Sequence, residues 1–209
     1  MNGRQEAQLL LFTRYPEEGT SKTRLIPALG AAGAADLQRR MTEWTVAVVA
    51  RFIERFPVSA EIRYDGGSLD QMAAWLASPI PCIPQEGNDL GARLASAFAA
   101  AFAGGARRVV VIGADCPGLT VGVLVAAFAA LSRHDLVLGP ATDGGYYLLG
   151  LSREAPSIFS EIPWGSAEVL AATLARAEAL ALSIQLLEPL ADVDRPEDLR
   201  HFHNYPDPQ

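Results

Sequence analysis

The chain has 209 residues, 50% of them hydrophobic, a formal net charge of −7 and a pI of about 5.0. That length suits one domain with a sizeable core, and the acidic balance argues against a nucleic-acid binder, which needs a basic surface. The two cysteines, Cys82 and Cys116, are too few for a disulfide framework or a cysteine-based zinc site.

The polar N-terminal stretch lacks the apolar core of a signal peptide. The longest apolar run, Val121 to Leu131, falls well short of the ~18 residues a membrane span needs. A soluble, cytoplasmic protein is expected. Leu9 to Thr13 reads as the first strand, apolar on both faces. The loop that follows, Arg14 to Leu25, has neither Walker nor dinucleotide glycine spacing. Backbone N–H groups near Gly19, with Lys22 and Arg24, still make it a candidate anion cradle. A solvated polar loop is the alternative.

Ala31 to Arg55 reads as a helix with Leu37, Met41, Trp44 and Val48 on a core face. Val58 to Tyr64 alternates as a second strand. Asp65 in Asp65-Gly66-Gly67-Ser68 could touch a ligand from another strand end, but turn chemistry explains it more simply, and a short helix covers Leu69 to Leu76. Pro79 to Pro84 is extended. Asn88 or Asp89 caps a helix from Leu90 to about Phe102. Gly87 permits close backbone approach to a ligand, and Arg93 faces either the cleft or water.

Val109 to Ile112, closed by Gly113, reads as a strand buried on both faces and stops on Asp115. Ligands of open α/β sheets bind outside the carboxyl ends of the strands, so Asp115 is a candidate for a metal or a ligand hydroxyl. Its alternative role is to organise its own turn. Thr120 caps a helix from Val121 to Ser132, apolar around most of its circumference and therefore expected to be buried. Asp135 to Pro140 is a strand, and Asp143-Gly144-Gly145 is a tight turn. Tyr146 to Leu149 is a strand too near its predecessor for a parallel crossover, so it is expected to be antiparallel. Asp143 then lies near Asp115.

Trp164 either walls a ligand or closes the core, the second being simpler. Ser166 caps a helix from Ala167 to Ala181, and Ser183 to Leu187 is the last strand. Asp194 reads as an N-cap with Pro196 just inside the turn. Asp192 is not needed for that cap, and the two acids are expected on opposite sides of the segment. His201 and His203 lack a third ligand. The alternation of strand and helix argues α/β: a single domain over 1–209, doubly wound, with a mostly parallel sheet and one antiparallel strand.

Five segments carry a family likeness: Gly19-Thr20-Ser21-Lys22-Thr23-Arg24-Leu25, Gln85 to Arg93, Gly113 to Thr120, Gly139 to Leu148, and Asp192-Val193-Asp194-Arg195-Pro196-Glu197-Asp198-Leu199. In that order they resemble the nucleotide-diphospho-sugar transferase superfamily, with its GT-A-like, Rossmann-like fold, over nearly the whole chain. The chain is most similar to small bacterial proteins named as glycosyltransferases and linked by name to selenodomain proteins and arsenosugar biosynthesis. It also resembles nucleotidyltransferases of molybdenum-cofactor and deazaflavin-cofactor synthesis.

The resemblance implies that Asp115 is the metal-binding acid of an Asp-x-Asp motif, with Mg²⁺ or Mn²⁺ as cofactor. Pro117 stands where the second acid belongs, so Asp192 or Asp143 would complete the site. Lys22 and Arg24 would hold the nucleotide phosphates, with Gly19, Gly87 and Arg93 beside them. Asp143 would orient an acceptor hydroxyl or act as its base. The implied partners are a nucleotide-sugar or nucleoside triphosphate and a small-molecule acceptor. Glycosyl transfer is the first expectation and nucleotidyl transfer with pyrophosphate release the second. The missing acid supports a third, a non-catalytic nucleotide-binding module. Exposed sheet edges would allow a homodimer.

Overall fold

Residues 6–202 are described by the computed structural model, so His203 lies outside the described residues. Among the described residues, seven strands form one sheet: β1 (Ala7–Arg14), β2 (Ser59–Asp65), β3 (Cys82–Pro84), β4 (Arg108–Gly113), β5 (Leu136–Pro140), β6 (Tyr146–Leu151) and β7 (Ile184–Leu186). Their order is β3-β2-β1-β4-β6-β5-β7. β6 is antiparallel to β4 and β5, and every other pair is parallel. The link over residues 141–145 is too short for a crossover, which is why β6 turns back.

The described residues include six α-helices: α1 (Ile26–Ile53), α2 (Leu69–Leu76), α3 (Leu90–Ala103), α4 (Val121–Ala130), α5 (Val169–Ala179) and α6 (Leu199–Phe202). Alternate strand residues enter two cores. Val110 and Ile112 join Leu9 and Leu11 against α1, α2 and α4. Val109 and Val111 join Leu10 and Phe12 against α3 and α5. Both faces are covered, so the central strands read as unbroken apolar runs.

Three local expectations need correction. α1 starts at Ile26, and Gly30 at φ 71° and ψ 168° breaks it into a short first turn and a long helix. α4 buries only Leu124, Ala127 and Phe128, and Val125 is exposed. A helix covering a sheet needs one apolar stripe, and small apolar residues are tolerated on its outer side. α5 begins at Val169, so the Ser166 hydroxyl, which accepts from the Glu168 N–H at 3.2 Å, shapes the preceding turn. The caps at Asp89 and Thr120 form as expected. No helix among the described residues is long and apolar enough to cross a membrane.

A third apolar cluster positions the candidate site. Val193 is buried against Leu25, Leu37 and Met41. Its N–H donates to the Asp115 carbonyl at 3.0 Å. Residues 192–194 are thereby held across the carboxyl end of β4.

At the other end of the sheet, Asp135 accepts from the Ser183 N–H at 2.9 Å and hydroxyl at 2.8 Å, and from Arg153 Nε at 2.8 Å. Hydrogen bonds from Ser183, then Arg153, hold its pKa down to about 2. A depressed carboxyl contributes stability above its unfolded pKa of roughly 3.9, and that contribution is lost as pH falls through the folded value. Asp135→Asn is expected to lose about 1 kcal/mol in urea unfolding at pH 7. The gap to the parent protein should narrow below about pH 4. A gap constant down to low pH would show that the carboxylate charge is irrelevant.

Candidate active site

The carboxyl ends of β1, β2 and β4 open into a cleft of about 540 Å³. The loop after β1 folds back on itself along one wall. Its anchor is Ser21, fully buried, whose hydroxyl donates to the Tyr15 carbonyl and accepts the Glu17 N–H, both at 3.0 Å. The turn ends on Lys22 in the left-handed region at φ 48°, which costs a non-glycine residue roughly 1 kcal/mol.

That turn places the Lys22 side chain inside the protein, only 4% exposed. Its ammonium donates to the Val193 carbonyl at 2.8 Å and lies 2.9 Å from Asp115 and 3.7 Å from Asp194. Burial alone would depress the Lys22 pKa, but the charges of Asp115, Asp194 and Asp192 outweigh burial and hold it above the ordinary value. Arg24 closes the cluster with a short ion pair to Asp194.

Asp194 is therefore not a helix cap. The Asp198 carboxylate takes that part, accepting the N–H groups of Asp194 at 3.2 Å and Arg195 at 2.8 Å. Asp192 and Asp194 also do not diverge: both line one cavity, described below, while Val193 turns inward. Residues two apart in extended chain share a side. Asp194 is nonetheless the acid that reaches Lys22 together with Asp115.

Deeper along the cleft, Asp65 bridges Arg14 at 2.6 Å and Arg93 at 3.0 Å. Burial pushes its pKa up, but Arg93 and Arg14 together hold it below the ordinary carboxylate value. Turn chemistry therefore understates Asp65, which ties β1, β2 and α3 together at the cleft wall. Its signal in the sequence was the one that marks Asp115, an acid at the carboxyl end of a strand. Two amides that residue chemistry alone did not single out also line the cleft. Gln85 donates to the carbonyls of Thr13 at 3.1 Å and Arg63 at 2.9 Å. Gln38, buried, donates to the Thr42 and Thr13 hydroxyls at 3.1 and 3.3 Å.

The two glycines lie apart from the lining. Gly19 sits at φ 80° facing open space. Gly87 abuts α3, where an added Cβ would come within 2.6 Å of the Arg93 nitrogen. Its carbonyl accepts from Arg93 Nε at 3.2 Å, so this glycine positions Arg93.

A second cavity, about 500 Å³, adjoins the first. The two share Arg24, Leu90, Tyr146 and Asp194. The second adds Asp143, Asp192 and Trp164. Trp164 meets Tyr146 edge-on, with centroids 6.4 Å apart at 83°, so it walls a cavity as well as packing. Asp143 accepts the Gly145 N–H at 2.8 Å. Burial and then the Asp143 charge raise the Asp192 pKa above the ordinary value. Gly144, at φ 93°, lets the loop pass beneath α5, since an added Cβ would lie 2.2 Å from the Ala167 carbonyl. Gly144→Ala is expected to destabilise the protein by at least ~2 kcal/mol in urea unfolding. An unchanged midpoint would show that this contact yields freely.

A seven-stranded sheet with one reversed strand and an anion-suited cleft at its carboxyl edge defines the nucleotide-diphospho-sugar transferase fold. The chain belongs to the bacterial family described as "Uncharacterized protein conserved in bacteria (DUF2064)", whose model matches residues 45–166. A provisionally named nucleotide-diphospho-sugar transferase from Desulfovibrio desulfuricans G20 is 33% identical, with a TM-score of 0.89 over 96% of this chain and 87% of that one. Two more distant structures share the fold alone. One is 4-diphosphocytidyl-2C-methyl-D-erythritol synthase from Anaerococcus prevotii DSM 20548 (9% identity, TM-score 0.63, 95% and 97% of the chains). The other is glucosyl-3-phosphoglycerate synthase from Mycobacterium tuberculosis, in complex with Mn²⁺, UDP and glucosyl-3-phosphoglycerate (13% identity, TM-score 0.58, 94% and 75%). No curated protein matches the chain.

Proposed function

We propose that this chain is a transferase that moves a glycosyl group from a nucleotide-activated sugar to a small-molecule acceptor. One observation carries the reading: the first cavity gathers Arg14, Lys22, Arg24 and Arg93 around Asp65, Asp115 and Asp194. In a chain of net charge −7, that is a local surplus of cations, as a diphosphate requires. Lys22 suits a point contact to phosphate and Arg24 a bidentate one.

Asp115 and Asp194 already share one cation, the Lys22 ammonium, while their side chains stay 47% and 31% exposed. Two carboxylates with open faces fit a divalent ion that arrives with the nucleotide. Such ions are held by one or two carboxylates plus phosphates rather than by an all-protein cage. Among the described residues no group of three or more acids, histidines or cysteines forms such a cage. When bound, the ion would offset charge on the departing diphosphate. Lys22 and Arg24 would stabilise the charge that develops on the leaving phosphate oxygen. Arg93, held by Asp65 and Gly87, would bound the nucleotide, and Asp143 would orient the acceptor hydroxyl. The Mn²⁺ and UDP of the glucosyl-3-phosphoglycerate synthase support this reading.

Nucleotidyl transfer is the second reading, because Lys22 and Arg24 would equally suit pyrophosphate departure. A panel of nucleotide-sugars and nucleoside triphosphates with Mg²⁺ or Mn²⁺ separates the two. Nucleoside diphosphate release from a nucleotide-sugar is expected. Pyrophosphate release from a triphosphate alone would sink glycosyl transfer. Absence of thermal stabilisation by every nucleotide with metal would sink both.

A further inference from the structure

The two cavities carry opposite charge bias. The first has four cations against three carboxylates. The second has four carboxylates, Asp143, Asp192, Asp194 and Asp198, against two guanidiniums, Arg24 and Arg195. One of these, Arg24, is already paired with Asp194. A phosphorylated molecule in the second cavity would meet like charge at close range, in walls that screen poorly. A hydroxyl-bearing molecule would instead donate charge-assisted hydrogen bonds to the same carboxylates. Trp164 and the edge of Tyr146 supply an apolar wall for the carbon face of such a molecule. The cavities meet at Arg24, Leu90, Tyr146 and Asp194, so an occupant of the second would adjoin a donor in the first.

We propose that the second cavity selects a polyhydroxylated acceptor that carries no phosphate, and that Asp143 receives the proton of its attacking hydroxyl. The proposal rests on the glycosyl-transfer reading. The acceptor oxygen forms a bond to the anomeric carbon of the donor. The bond from that carbon to the diphosphate oxygen breaks, and its electron pair leaves on the diphosphate. The hydroxyl proton passes to the Asp143 carboxylate.

The test uses the full chain with Mn²⁺ and a panel of nucleotide-sugars, and matched acceptors with and without phosphate. Suitable pairs are glucose against glucose 6-phosphate, and glycerol against glycerol 3-phosphate. Nucleoside diphosphate release is followed together with acceptor binding to the UDP·Mn²⁺-loaded protein by calorimetry. The neutral member of a pair is expected to bind and react at least ~10-fold better, a difference of about 1.4 kcal/mol. Asp143→Asn with Asp192→Asn should reduce that preference by lowering KM for the phosphorylated member, while kcat falls for both. Equal use of both members, or preference for the phosphorylated one, overturns the proposal, as does binding of neither. Nucleotide stabilisation of the protein, measured separately by thermal shift, tells these failures from failure of the donor-site reading.

Discussion

Lys22→Met is expected to lower kcat/KM at least ~100-fold while raising the affinity of the nucleotide-free protein for Mn²⁺. The two effects have opposite signs for one reason. The Lys22 ammonium sits between Asp115 and Asp194, where a divalent ion would bind. With nucleotide present, its charge belongs on the phosphates, and loss of one such preorganised donor typically costs 10²–10³ in rate. Without nucleotide, it competes with the ion for the carboxylates. Removing one partner of a fully buried pair costs about 3–5 kcal/mol. Here both carboxylates keep water, so the stability loss should be nearer ~1–2 kcal/mol. Lys22→Arg should not restore activity, because a planar fork cannot replace a point charge enclosed as tightly as Lys22. A raised lysine contributes fully below its unfolded pKa and loses that contribution only as pH rises through the folded value. The stability difference between Lys22→Met and the parent should therefore be flat from about pH 6 to 9. Calorimetry of Mn²⁺ binding decides the matter. A variant that binds free Mn²⁺ more weakly than the parent would show that Lys22 does not hold the cation's place.

The strands that carry the site were legible because their chemistry is local. Val109 to Ile112 is apolar on both faces, and Asp115 marks its carboxyl end. The short link after β5 left β6 no way to run parallel. Asp194 was misread because its local pattern is self-sufficient: an acid two residues before a proline makes a good cap on paper. What removes it from that role is distant in sequence. Val193 is pulled into a cluster built by the start of α1, and Lys22, 171 residues earlier, takes the Val193 carbonyl. Asp65 shows the same limit. A turn explains it until Arg14 and Arg93 arrive from two other elements. Gly87 permits close approach, as its type suggested, but the approaching group is the backbone of α3.

Asp115→Asn and Asp194→Asn are expected to have the second large effect, each weakening metal-dependent nucleotide binding about 10- to 100-fold, while Asp192→Asn leaves that binding within about twofold. The distinction follows from position. Asp115 and Asp194 both face the Lys22 ammonium, whereas Asp192 lies in the second cavity and feels Asp143 most strongly after burial itself. Asp115 and Asp194 act on one ion, so the double variant should lose less than the product of the single losses. Stability adds an independent check with a definite sign. Asp115 supplies the largest of the charges that offset burial at Lys22, so Asp115→Asn lowers the Lys22 pKa from its raised position. The folded variant therefore loses part of the stability that charged Lys22 contributes to the parent at pH 7. Titration of nucleotide at fixed Mn²⁺, with urea unfolding at pH 7, tests both parts. If Asp192→Asn weakens nucleotide binding as much as Asp194→Asn, Asp192 belongs to the metal site and the division between the two cavities fails.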